Sequence, residues 1–104
     1  MNDNSKTEPT SDEADAAFRG FRSLKRELRP HLNSNELAIE MIKVIILEGW
    51  NTGERIVGTM KKLGFDGKHA GATLGNNRGD SPTLHQWRRD NNGIYSVHDK
   101  DLPA

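Results

Sequence analysis

The chain has 104 residues and no cysteine, is 33% hydrophobic and 29% charged, and carries a formal net charge of zero. That is room for one small domain and a tail, and it excludes a disulfide framework and thiolate chemistry. The zero is a balance between segregated parts: residues 1–17 hold one Lys and five Asp/Glu, residues 18–98 thirteen Lys/Arg and eight Asp/Glu, and the last six residues one Lys and two Asp. An acidic tail on a moderately basic domain is compatible with nucleic-acid binding, but the domain is not basic enough to hold a polyanion by charge alone.

Residues 1–14 are polar and acidic, the opposite of a secretory or transit signal, and read as a disordered tail. Residues 15–30 read as an amphipathic helix. Phe18, Phe21, Leu24, Lys25 and Leu28 follow one helical face, Arg19, Arg22, Arg26 and Arg29 follow the other, and Pro30 ends it. The arginine face has two readings, a solvated surface or a phosphate- or partner-contacting one, and the solvated surface is the commoner case.

Asn33 with Glu36 three residues on is a capping pair for a helix from Leu37 to Glu48. That helix is apolar around most of its circumference, so it is expected at the centre of the core, with Gly49 closing it and Trp50 covering the core beyond. Its longest apolar stretch, Leu37 to Leu47, is interrupted by Glu40 and Lys43 and is too short to span a bilayer. A cytoplasmic protein without membrane association is expected. Asn51 or Thr52 can cap the next helix, Arg55 to Leu63, which ends at Gly64. Phe65 then drops towards the core, and Asp66 caps a segment from Gly67 to Asn77. Gly67, Gly71, Gly75 and Gly79 recur every four residues there. On a helix this makes a bare ridge that lets another backbone come close, but internal glycines also favour a short helix that frays from Gly75 onward.

After the Arg78–Pro82 loop, Leu84 to His98 reads as two short strands turned back at Asp90-Asn91-Asn92-Gly93. With Asn92-Gly93 as a two-residue turn, Arg88 pairs with Val97, Arg89 with Ser96 and Asp90 with Tyr95. The two arginines then point to opposite sides, Arg89 and Asn91 share a face with Trp87, and Trp87 and Tyr95 do not share one. The hairpin is too small to stand alone and must lean on the helices.

This order resembles a winged helix-turn-helix domain over about Asn33 to Asp99. Leu63-Gly64-Phe65-Asp66 is similar to the turn between its two helices, and Trp87 to Tyr95, with its Gly-x-Tyr pair, to its wing. The Ser81-Pro82 loop is more loosely similar to the HARE-HTH group of winged domains. The resemblance implies a mainly α fold with a small β-hairpin: three core helices plus wing over residues 33–99, an extra N-terminal helix before them, and a disordered tail at 100–104. It implies duplex DNA as partner, with Lys68, His69, Thr73, Asn76, Asn77 and Arg78 towards the major groove. Arg88, Arg89 and Asn91 would lie along a phosphate backbone or in the minor groove, and Lys61 and Lys62 would add phosphate contacts. Asp15 to Leu28 is the expected dimerisation helix of a homodimer. The alternative is a winged-helix module that docks onto a protein partner without touching DNA. No enzyme, cofactor or metal is expected: the four histidines His31, His69, His85 and His98 are scattered, no glycine loop ends in Gly-Lys-Ser/Thr, and no nucleophile elbow is present.

Overall fold

The structure is a computed structural model that describes residues 11–98, with side chains from Ala14 onward. It is mainly helical with one small hairpin: α1 (Ser11–Leu28), α2 (Ser34–Leu47), α3 (Gly53–Lys62), α4 (Gly67–Asn76), β1 (Trp87–Arg89) and β2 (Tyr95–Val97). Residues 1–10 of the tail expected at 1–14, and all of the tail expected at 100–104, lie outside the described residues. The boundary expected after residue 14 moves back, because α1 already starts at Ser11. Ala14, Ala16 and Ala17 explain the extension, alanine being the strongest helix former.

The helix ends follow the capping residues. The Asn33 side chain accepts from the Glu36 backbone N–H at 2.8 Å while the Glu36 carboxylate accepts from the Asn33 N–H at 3.0 Å, a complete capping box. Thr52, not Asn51, caps α3, and Asp66 caps α4. Gly49 and Gly64, at φ 96° and 99°, end α2 and α3 in the left-handed region.

Leu37, Ala38, Met41, Ile42, Ile45 and Ile46 of α2 are buried, so α2 is the central helix as its composition demands. Leu47 departs from that expectation and is 49% exposed. Phe21 of α1, Ile56 and Met60 of α3 with Leu63 at its end, Ala70 and Leu74 of α4, and Trp87, Tyr95 and Val97 of the hairpin complete the core. Trp50 covers one end, its ring edge-on to Phe21 with centroids 5.4 Å apart. The apolar side of α1 is thus committed to its own domain.

The hairpin register differs from expectation by one residue. Trp87 pairs with Val97, Arg88 with Ser96 and Arg89 with Tyr95. The cause is the turn. Asp90 N–H donates to the Ile94 carbonyl at 2.9 Å and Gly93 N–H to the Asp90 carbonyl at 3.1 Å, with Gly93 at φ 82°. This is a three-residue loop closed by a left-handed glycine, not a two-residue turn. Because strand side chains alternate, the slip puts Trp87, Tyr95 and Val97 on one inward face, correcting the expectation that Trp87 and Tyr95 are separated.

That face is stitched to the helices at two places. Tyr95 N–H donates to the Asn51 carbonyl at 2.7 Å, fixing β2 to the α2–α3 connection. At the other end Gln86 N–H donates to the Asn77 carbonyl and Gly79 N–H to the Trp87 carbonyl, both at 2.9 Å, so residues 77–79 run beside the start of β1. The fully buried Trp87 indole donates to the Leu74 carbonyl at 2.8 Å. Replacing Trp87 by Phe leaves that carbonyl without its donor and opens a void. We expect a loss of about 2–3 kcal/mol in urea denaturation, whereas a loss under about 1 kcal/mol would mean the indole N–H holds little.

Candidate nucleic-acid interface

The residues expected to meet DNA differ in their exposure and in what they touch. α4 is intact through Asn76, so the expected fraying at Gly75 does not occur. Its outward side presents Lys68, Gly71, Ala72, Gly75 and Asn76, all exposed. A Cβ built at Gly71 or Gly75 meets nothing within 4 Å, so these two glycines do face open space. The other two of the four-residue repeat serve contacts inside the protein. The Lys61 side chain lies over Gly67, and the His85 ring fills the place where a side chain at Gly79 would stand.

Two of the expected groove-facing residues spend polar groups on α4 itself, and a third is half-buried. Thr73 is buried and its hydroxyl donates to the His69 carbonyl at 2.9 Å. The Asn77 side-chain amide donates to the Thr73 carbonyl at 2.8 Å, so it caps its own helix. His69 is half-buried, and its Nε2 is shielded from solvent with no hydrogen-bond partner among the described residues. The periodicity that places Thr73 and Asn77 on α4 also places them beside Ala70 and Leu74, on the core side.

The cations are dispersed. Lys61 and Lys68 lie near the α4 N-terminus, with the Lys61 stem packed on Gly67. Lys62 lines a groove with Ala14, Trp50, Arg55 and Thr59, on the α1 side of α3. Arg88 lines a different groove, about 680 Å³, with Ile46, Leu47, Pro82, Tyr95 and Val97. Arg89 projects on the side opposite Arg88, towards Gly93, and Arg78 and Asn91 are exposed. His85 and His98 both meet Gly79. His98 Nε2 carries the proton, because it lies 2.8 Å from the Gly79 carbonyl, which only accepts.

Asp90 organises the tip. Its Oδ1 accepts from the Asn92 N–H at 2.8 Å and the Ile94 N–H at 3.0 Å. The Ile94 hydrogen bond does most to hold its carboxyl below the ordinary aspartate range; desolvation, next in size, opposes it, and the Asn92 bond and the charges of Arg88 and Arg89 add to the lowering.

The densest group of cations lies outside the expected set. Arg22, Lys25 and Arg26 of α1, with Arg29 just beyond its end, line a groove of about 260 Å³ closed on one side by Leu63. The half-buried Lys25 was expected on the apolar face. Its stem does lie there, but its ammonium donates to the Leu63 carbonyl at 2.7 Å and sits 4.9 Å from the Phe65 ring centroid. The signal was present in the arginine spacing; that the α3–α4 turn would wall the groove was not.

Among the described residues no cluster of three or more His, Asp or Glu is placed to hold a metal, and no helix is long and apolar enough to cross a membrane. Comparison of the chain with protein-family models, with curated proteins and with solved structures gives no match.

The Asp90 carboxylate yields a test. A carboxyl lowered in the folded state contributes stability above the ordinary aspartate value, and that contribution is lost as the pH falls through the lowered one. The amide resonances of Asn92 and Ile94 should therefore titrate with a midpoint below that of an unstructured aspartate. In Asp90→Asn this titration should vanish; its persistence would place the responsible group elsewhere.

Proposed function

We propose that this chain is a small non-enzymatic DNA-binding protein of the winged helix-turn-helix kind, whose α4 and hairpin lie against duplex DNA. The observation that carries this reading is the outward side of α4. It is a complete helix, bare at Gly71, Ala72 and Gly75, with Lys68 at one end, Asn76 at the other and Arg78 just beyond. Such a surface suits close approach to a sugar-phosphate backbone and offers few side chains to base edges. The reading is therefore of shape and phosphate recognition with weak sequence preference. A hairpin pinned beside the end of α4 by Trp87 supports the wing role, with Arg89 and Asn91 at its tip as phosphate contacts.

A second reading, docking onto a protein partner, is favoured by the groove along β2, where Leu47 is 49% exposed beside Ile46, Pro82 and Val97.

Two measurements separate the readings. Gly71→Ala should stabilise the fold by about 0.5–1 kcal/mol, since an exposed helical glycine becomes alanine in open space. In the DNA reading the same substitution should weaken binding to random duplex, because a methyl then stands between the helix and the backbone. The pair Arg88→Ala and Arg89→Ala should weaken binding alike on all sequences and lower the salt slope by about 1–2. Absence of any retardation of random duplex at low salt would favour the protein-docking reading.

A further inference from the structure

The sparse charge on α4 raises the question of where a polyanion would gain most of its affinity. We propose that the α1 groove formed by Arg22, Lys25, Arg26 and Arg29 against Leu63 is a second binding site, and that its ligand is the phosphate backbone of a nucleic acid. This takes the class of partner from the reading above but does not depend on α4 or the hairpin.

Three observations carry the site. Its cations converge: positions 22, 26 and 29 lie within two turns on one side of α1, and Arg19 continues the row one turn earlier. From Arg19 to Arg29 the row is about 15 Å long at 1.5 Å per residue, enough to lie along several successive phosphates. Among the described residues, no acid pairs with these cations: Arg22, Arg26 and Arg29 have no carboxylate within salt-bridge distance. Like charges three and four residues apart disfavour the helix, and an anion across them removes that repulsion. Finally, the groove is built on a fixed element. Lys25 is anchored by the Leu63 carbonyl and the Phe65 ring, and Arg22 lies over the Phe18 ring at 5.4 Å. Two of the four cations are thereby held in place before a ligand arrives, while Arg26 and Arg29 remain exposed donors. Guanidinium groups suit phosphate oxygens, which they bind through two parallel N–H donors.

The test compares four full-length proteins by fluorescence anisotropy on a short random-sequence duplex over a range of salt. They are wild type, the triple variant Arg22→Ala/Arg26→Ala/Arg29→Ala, the same triple to Lys, and Arg88→Ala/Arg89→Ala. All replaced residues are exposed, and circular dichroism checks that each variant is folded. The alanine triple should lose at least about tenfold in affinity at low salt and lower the salt slope by about 2–3, while the lysine triple keeps most of the slope. Loss in the alanine triple alone would support the α1 site and overturn the α4 and hairpin interface. Loss in the hairpin variant alone would overturn the α1 site and leave the other interface standing. Absence of duplex binding in wild type would overturn both. If poly-glutamate displaced the duplex as effectively as an equal charge of unlabelled DNA, the ligand would be an acidic protein surface and the phosphate assignment would fall.

Discussion

One hydrogen bond sets what the rest of the molecule can be. The Trp87 indole enters the core completely and donates to the Leu74 carbonyl in the last turn of α4. That carbonyl is free because the Arg78 N–H turns to Gly75 instead, at 3.4 Å. A helix end has carbonyls without partners, and here a strand side chain supplies a donor. The hairpin is consequently part of the core and not an appendage. It fixes the direction in which α4 ends, and α4 in turn gives a two-stranded element the support it lacks in isolation.

The same economy applies at the opposite corner. Lys25 provides a cation and a donor to the C-terminal end of α3, where the helix dipole is negative and the Leu63 carbonyl needs a partner. One side chain thus joins α1 to the turn that precedes α4. Beside it Arg22 lies over the Phe18 ring and Arg26 and Arg29 are exposed, so the cations of α1 gather towards its C-terminal end.

Element type and order were legible in the sequence because they are written in local chemistry: Asn33 with Glu36, Thr52, Asp66, Gly49 and Gly64 each act within a few residues of where they stand. The site was much less legible. Thr73 and Asn77 look like recognition residues by type, and only their position beside Ala70 and Leu74 on the core side shows that their polar groups are spent on α4 itself. The hairpin register turned on a single residue. Asn92-Gly93 is a good two-residue turn by composition, yet the Asp90 carboxylate holds the N–H groups of Asn92 and Ile94 and selects the longer loop. The groove on α1 needed contact between segments about forty residues apart in the chain, Lys25 and Leu63, which no local pattern contains.

The open glycines of α4 give the domain an evolutionary latitude. At Gly67 and Gly79 neighbouring side chains occupy the space a Cβ would need, so these positions are closed to larger residues unless Lys61 or His85 moves. At Gly71 and Gly75 nothing stands in the way, and any ordinary residue also improves the helix. Side chains with new donors or acceptors can therefore be installed there without disturbing the core. The scaffold and its outer surface can vary independently, because the residues that hold α4 in place and those that face outward from it do not overlap.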